Sequence, residues 1–280
     1  MYLPRLVGVI HLPSLRLAAL RRDVDSVATF VEREARVLEE AGFDGVIVEN
    51  FSDAPFAKRV SEPEIVGIIA VALHTARKSF NGFVGLNILR SSAIEAYRII
   101  YAFRADFIRV NAYAETLATD SGLIEPSATS LAELRHIMPG VKIFGDALCK
   151  HSGSIDLVTR AFTRIGQSLG EEPLREAIRE SVREIIMNAT ERGLADAIIV
   201  TGSKTGEAPS KEFLKFVKQA SPKPAYLGSG PTAENIADYA KLCDGIIVGS
   251  YIKIGGRAGN PTDPEKAKRF AKAFKEEFAK

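Results

Sequence analysis

The feature that most limits the folds open to this chain is an alternation: eight short apolar runs, each of strand length, separated by stretches of helical period. The runs are Arg5–Leu12, Gly45–Asn50, Phe83–Leu89, Phe107–Asn111, Val141–Leu148, Ala197–Thr201, Ala225–Gly228 and Gly245–Gly249. Continuous apolar strands of this kind are buried on both faces, and alternation with helices argues for βα units and a parallel sheet. A chain of 280 residues has room for one (β/α)₈ barrel domain over 1–280, since such barrels need about 250 residues. An open doubly wound sheet is the alternative. The last two runs favour closure, because Pro224-Ala-Tyr-Leu-Gly-Ser-Gly230 and Gly245-Ile-Ile-Val-Gly-Ser-Tyr251 both end in glycine and serine. Glycine lets bare backbone N–H groups approach a ligand, and the loops after the seventh and eighth strands are where a barrel binds phosphate.

The helical segments carry matching signals. Val24, Val27, Val31, Ala35 and Leu38 make one apolar stripe among charged neighbours. Ser130 with Glu133, Ser210, Thr232 and the pair Asp263-Pro264 mark helix starts, and Gly42 and Gly193 mark helix ends. His151–Arg192 is too long for one unit, so an inserted helix at Ile155–Leu169 is predicted over the barrel mouth or rim. A Gly170-Glu-Glu-Pro173 break and the ordinary helix Leu174–Arg192 follow it. Lys266–Lys280, with Phe270, Phe274 and Phe278 at steps of four, reads as the closing helix.

Charge and cysteine usage narrow the function. Lys and Arg number 37 against 35 Asp and Glu, a net +2 that gives no general attraction to nucleic acid or an anionic membrane. Cys149 and Cys243 form no CxxC pair, which argues against structural zinc, redox motifs and a disulfide framework and fits a reducing cytoplasm. Met1–Pro13 lacks a secretory core and reads as the first strand, and no run approaches the roughly 18 apolar residues of a membrane span. The absence of Trp and the abundance of Lys, Glu and Arg suit a thermophile.

A barrel collects its chemistry at the carboxyl ends of its strands. Those positions hold His11, Glu49, Asn50, Asn87, Arg90, Arg109, Asn111, Asp146, Lys150, His151, Thr201, Ser203, Lys204 and Thr205. Glu49 and Asp146 are the candidate acid–base pair, or the donors of one divalent ion with His11 or His151 beside them. Each also has a bland reading, pairing with a basic neighbour such as Arg109 or Lys150. Lys204 and Lys150 are candidates for phosphate charge, general acid or Schiff-base amine, against the default of a solvated lysine. Thr201-Gly-Ser-Lys-Thr-Gly206 is not a Walker A loop, since it has no Gly-Lys-Ser/Thr triplet. Gly228, Ser229, Gly230, Gly249 and Ser250 are the phosphate candidates. His11, Asn50, Asn87, Arg109, Asn111, His151 and Thr201 are the candidates for the rest of the substrate. Asp120–Glu125 reads as a binding loop or a surface hairpin, and Gly255–Gly259 as a flap that Arg257 could close over an anion.

Together these strings resemble one family. Gly8-Val-Ile-His-Leu-Pro13, Gly45-Val-Ile-Val-Glu-Asn-Phe-Ser-Asp-Ala-Pro-Phe56, Gly85-Leu-Asn-Ile-Leu-Arg90, Phe107-Ile-Arg-Val-Asn111, Thr119-Asp-Ser-Gly-Leu-Ile-Glu125, Gly228-Ser-Gly230 with Glu234-Asn235, Asp244-Gly-Ile-Ile-Val-Gly-Ser250 and Asn260-Pro-Thr-Asp263 are similar to the BtpA family, which includes SgcQ-like proteins. The resemblance runs almost end to end and implies a barrel of the ribulose-phosphate-binding type. It also implies an association, in cyanobacteria, with photosystem I at the thylakoid surface, although relatives occur where no photosystem exists. The family's fifth-strand ending resembles Ala-Asp-Val-x-Val-Lys-His-Ala, whereas this chain has Gly145-Asp-Ala-Leu-Cys-Lys-His-Ser152 and a longer insertion after it. The expected ligand is a phosphorylated sugar or nucleotide-like molecule, with isomerase, epimerase or lyase chemistry by fold analogy. The alternative is a non-catalytic assembly factor. A divalent metal and homo-oligomerisation stay open.

Overall fold

The computed structural model describes residues 3–149, 151–165, 170–202 and 206–278. Its strands are β1 (Leu6–His11), β2 (Gly45–Glu49), β3 (Phe83–Asn87), β4 (Phe107–Val110), β5 (Leu117–Thr119), β6 (Gly122–Ile124), β7 (Lys142–Ala147), β8 (Ser152–Ser154), β9 (Ala197–Val200), β10 (Ala225–Leu227) and β11 (Gly245–Val248). Eight of them close a parallel barrel in the order β1-β11-β10-β9-β7-β4-β3-β2, which removes the open-sheet alternative. The ring is sealed where Leu6, Val7 and Gly8 pair with Ile246, Ile247 and Val248.

Every barrel strand alternates between the helices outside and the barrel interior, as the period of two requires. Val7, Val9, Ile47, Phe107, Phe144, Ala197, Ile199, Tyr226 and Ile247 form an inner cluster separate from the larger core under the helices. The Phe107 and Phe144 rings stack at 4.7 Å and Tyr226 follows Phe144 at 5.0 Å, so aromatic carbon fills the barrel's middle. Space for it comes from small neighbours: a Cβ on Gly85 would lie 2.4 Å from the Phe107 ring. Two residues beyond this plug, the inward positions become His11, Glu49, Asn87, Arg109, Asp146, Thr201, Gly228 and Gly249. The strand period therefore puts most of the predicted polar residues in one layer above an apolar floor.

Outside lie α1 (Leu15–Arg21), α2 (Val24–Ala41), α3 (Pro63–Ser79), α4 (Ala93–Ala102), α5 (Ala128–Ile137), α6 (Ile155–Ile165), α7 (Glu171–Met187), α8 (Lys211–Ala220) and α9 (Pro264–Phe278). The α2 stripe buries Val27, Val31, Ala35 and Leu38 as its spacing requires. Ser210 caps α8 by accepting the Phe213 N–H, Asp263 accepts N–H groups of the first turn of α9, and Gly42 ends α2 at φ 86°.

Several boundaries differ from expectation. α5 starts at Ala128, ahead of the expected Ser130–Glu133 box. No α-helix follows Thr232: the side chains of Thr232 and Asn235 each accept the other's backbone N–H, and only a 3₁₀ turn at Ile236–Asp238 fits before β11. Gly170-Glu-Glu-Pro173 is a helix start rather than a break, with Pro173 inside the first turn of α7, where a missing N–H costs nothing. α7 runs into a π-turn at Asn188–Arg192, and the left-handed residue beyond it is Leu194 rather than Gly193. A Cβ at Gly193 would instead meet the Ala189 carbonyl at 2.9 Å.

The Asp120–Glu125 segment belongs to a hairpin, β5 paired with β6, and β8 adds a third antiparallel strand. This small sheet stands beside the barrel mouth, reaching Phe56 through a hydrogen bond from the Ser121 hydroxyl to its carbonyl.

Candidate functional site

A cavity of about 500 Å³ opens at the carboxyl ends of the barrel strands. His11, Glu49, Asn87, Arg109, Asn111, His151, Gly228, Ser229, Gly230, Gly249 and Ser250 line it, so the structure brings together most of the residues singled out from sequence. Asn50, Asp146 and Thr201 are not on its wall. Lys150, Ser203, Lys204 and Thr205 lie outside the described residues. Arg257 is exposed on the flap and away from the cavity lining, while His74 and His136 are exposed on α3 and α5.

On the side built by β2, β3, β4 and β7, side chains are paired with one another. Nε and a terminal nitrogen of Arg109 donate to the two carboxylate oxygens of Asp146, each at 2.9 Å, and Asn111 Nδ2 donates to Asp146 at 2.9 Å. Burial alone would pull the Arg109 guanidinium down, but the Asp146 charge and hydrogen bonds, with Glu49 nearby, hold it above its ordinary value. Asp146 is thus the counter-ion of a buried arginine. Its oxygens accept three donors, which is the ion-pair alternative that the sequence left open beside the acid–base or metal role. Among the described residues no group of three or more His, Cys, Asp or Glu converges as metal donors.

Glu49 is different. Asn87 Nδ2 donates to its Oε2 at 2.7 Å, and the carboxylate stands on the cavity wall although the residue is only 7% exposed. Asn50, next to it, turns away: its Oδ1 accepts the Leu89 N–H at 2.8 Å and its Nδ2 reaches the Leu89 carbonyl. Asp53, which sequence reasoning passed over, accepts the Leu15 N–H at 2.7 Å at the start of α1. The Glu-Asn-Phe-Ser-Asp string therefore offers the Glu49 carboxylate and the Phe51 ring to the cavity, while Asn50 and Asp53 shape the loop that presents them.

The side built by β9, β10 and β11 is rich in glycine: Gly228, Gly230 and Gly249 line it with Ser229, Ser250, Thr232 and Tyr251. Gly230 has φ +81°, and a Cβ there would sit 2.1 Å from the Ala208 nitrogen, so only glycine fits. Asn235 Nδ2 donates to the Gly230 carbonyl and fixes the turn from behind. The Ser229 hydroxyl does not point to a ligand: it accepts the Gly202 N–H at 2.8 Å and donates to the Glu207 carbonyl at 2.6 Å. It gathers the two ends of the loop after β9. Among the described residues, the N–H groups of Ser229, Gly230 and Ser250 donate to no protein acceptor. These amides come from two turns on one cavity, which is the arrangement of an anion cradle.

His11 stands between the two sides. Its Nδ1 accepts the Gly259 N–H at 3.2 Å, which places the proton of the neutral ring on Nε2, and Nε2 lies 3.3 Å from where a Cβ on Gly249 would stand. The Phe51 ring packs 4.5 Å from it. Gly259 belongs to the glycine flap, whose base holds a pair that the sequence spacing did not reveal. Lys253, fully buried, donates to Glu34 of α2 at 3.1 Å and to Thr262 at 2.8 Å, while the Thr262 N–H returns to Glu34 at 2.9 Å. Burial pulls the Lys253 ammonium below its ordinary value, against the opposing pull of Glu34.

The fold and this mouth define a (β/α)₈ barrel of the class whose ligand site sits above the strand ends. Solved structures agree on the fold. N-(5'-phosphoribosyl)anthranilate isomerase of Pyrococcus furiosus is similar at TM-score 0.54 and 14% identity, over 97% of this chain and 99% of that one. The (S)-3-O-geranylgeranylglyceryl phosphate synthase of Thermoplasma acidophilum is similar at TM-score 0.56 and 15% identity, over 96% and 92%. More specifically, the chain belongs to the BtpA family, whose model matches residues 4–179 and 172–276. An uncharacterised protein of Thermococcus kodakarensis is 37% identical over 97% of this chain and 95% of its own length. The photosystem I biogenesis protein BtpA of Synechocystis is 34% identical over 96% of this chain and 88% of its own.

Proposed function

We propose that this barrel binds a phosphorylated small molecule, a sugar or nucleotide-like phosphate, and moves a proton on it. The observation that carries the reading is that the Gly228–Gly230 and Gly249–Ser250 turns meet on one cavity with undonated amides, while Glu49 stands on the same wall. The amides of Ser229, Gly230 and Ser250 hold the phosphate oxygens, where preorganised N–H dipoles serve as well as a cationic side chain. Glu49 takes a proton from a carbon next to a carbonyl and returns it to a neighbouring atom, the step shared by isomerases and epimerases. Nε2–H of His11 and the positive charge of Arg109 stabilise the oxyanion that forms meanwhile. Lys204 or Lys150 adds electrophilic help. Two of the structural neighbours are named for phosphorylated compounds, and one is in complex with sn-glycerol-1-phosphate, which supports the phosphate assignment.

Calorimetric titration with inorganic phosphate and sn-glycerol 1-phosphate, with glycerol as control, tests the cradle. Ser250→Asp, which sets a carboxylate among the amides, is expected to abolish phosphate binding, while Ser250→Ala retains it. Equal responses to glycerol and its phosphate would overturn the assignment. For the proton step, wild type in D₂O is expected to wash deuterium into a bound ketose or aldose phosphate, and Glu49→Gln to stop it, as read by NMR. The name of the Synechocystis relative speaks for a second reading, an assembly factor that uses the barrel rim for partners. A protein that binds no phosphorylated compound but retains its fold would favour that reading.

A further inference from the structure

One cationic side chain on the cavity wall has no part in the reading above. Arg90 follows β3, which stands four strands round the ring from β10 and hence across the mouth from the Gly228–Gly230 turn. Its side chain is only 14% exposed, and its guanidinium carbon lies 4.7 Å over the Phe56 ring. Among the described residues the one carboxylate that meets it, Asp120 of the β5–β6 hairpin, reaches a single terminal nitrogen with both oxygens, at 3.1 and 3.2 Å. Nε is enclosed and has no acceptor among the described residues. Arg109 contrasts with it, having both edges of its fork filled by Asp146. Asp120 takes only one terminal nitrogen of Arg90, and the other has no acceptor among the described residues, so a mostly buried cation is left with a half-filled fork that an anion in the cavity can complete.

We propose that Arg90 is a second anion subsite that takes a carboxylate, so that the ligand of this barrel is a phosphorylated carboxylic acid with its two charged ends on opposite sides of the mouth. The inference rests on the phosphate reading given above and deepens it. A carboxylate fits better than a second phosphate for two reasons. The guanidinium is held over the Phe56 ring, its carbon 4.7 Å from the ring centre, and a planar carboxylate matches the guanidinium fork as a bidentate partner. A second phosphate dianion would also bring more negative charge towards Asp120 and Glu49 than one arginine offsets. Asp120, with its side chain 59% exposed, then acts as a placeholder that shares the cation until the ligand arrives.

The test uses matched open-chain probes that differ only at carbon one: 6-phosphogluconate, which has a carboxylate there, and glucitol 6-phosphate, which has a hydroxymethyl group. The three-carbon pair 3-phosphoglycerate and glycerol phosphate covers a shorter span. In calorimetric titration of the full chain, the carboxylate member of at least one pair is expected to bind about tenfold or more tightly than its partner. Arg90→Gln should bring that ratio close to one. Asp120→Asn, which leaves the cation in place, should keep or raise it, and this variant keeps the proposal open to refutation if Arg90→Gln folds poorly. Equal affinities within every pair, or a preference that survives Arg90→Gln, would overturn the carboxylate subsite alone. A preference lost in Asp120→Asn would assign the selection to the hairpin and also overturn it. If no probe and no inorganic phosphate binds, the phosphate reading and this one fall together.

Discussion

The two halves of the barrel mouth are built on opposite plans. From β1 round to β7 the inward layer holds His11, Glu49, Asn87, Arg109 and Asp146, a set of long polar side chains whose donors and acceptors are largely matched among themselves. From β9 to β11 the same layer holds Thr201, Gly228 and Gly249, and the β10 and β11 loops bring glycines and the amides of Ser229, Gly230 and Ser250 to the cavity beside Thr232 and Tyr251. A wall of paired side chains is rigid and discriminating, because removing one partner strands another in a dry place. A wall of amides is undemanding about what lies beyond the anion it holds, since N–H groups read charge and little else. In the phosphate site proposed above, recognition of the rest of the ligand would therefore fall to the side-chain half.

The largest effect separating the halves is expected on stability. Arg109→Ala leaves the Asp146 carboxylate buried without its counter-ion and should cost about 3–5 kcal/mol in urea unfolding. Arg109→Met with Asp146→Leu should restore much of that loss, and a double variant as unstable as the single would show that the ion pair holds more than itself. Next comes Gly230→Ala on the other half, which forces a side chain into φ +81° against the Ala208 backbone. The backbone strain costs about 1–3 kcal/mol, and phosphate affinity should fall with it. Loss of stability with unchanged phosphate binding would break the contrast between the halves.

A smaller effect comes from Glu115, behind the side-chain half. It accepts the Leu148 N–H at 2.6 Å, and its other oxygen, enclosed, has no hydrogen-bond partner among the described residues. Burial raises Glu115 above the ordinary carboxylate range, against the Ser154 and Leu148 hydrogen bonds that oppose the shift. The folded state therefore keeps a proton that the unfolded chain has already released. Its contribution to stability is full below the unfolded pKa, about 4.3, and is lost as pH rises through the folded one. Glu115→Gln should become more stable relative to wild type between pH 4 and pH 8, as read from urea midpoints. The least change is expected at Cys243, beneath the glycine half, where burial pushes the thiol up to about 12. It should alkylate at pH 8 at least about a hundredfold more slowly than a free thiol, as mass spectrometry would show.

Much of the mouth was legible before any coordinates because a strand has a period of two. Once Val9, Ile47, Phe107 and Phe144 are placed inside, His11, Glu49, Arg109 and Asp146 must follow them in the next inward layer. The glycine turns were legible for a similar reason, since Gly228–Gly230 and Gly249 sit at the ends of the last two strands. Pairing was not legible. Which carboxylate Arg109 takes depends on the register that sets Arg109 beside Phe144, after a 31-residue path through a hairpin and α5 that the spacing leaves open. The Asn50 amide and the Ser229 hydroxyl look like ligand contacts in sequence, yet both side chains bond main chain, because loops that bend sharply must find partners for their own amides first. The Lys253–Glu34 pair joins residues 219 apart, beyond any local pattern.

That last pair has a bearing on how anything enters the mouth. With Lys253 and Thr262 both bound to one buried carboxylate, the two ends of the glycine flap are moored to α2, and swinging the whole loop aside would drag a charged ammonium towards solvent. The freedom that is left lies between the moorings, at Gly255, Gly256 and Gly259, all with positive φ. Since the Gly259 N–H is what holds the imidazole of His11, a rearrangement of that short arc would change the tilt of the ring and the width of the doorway in one movement.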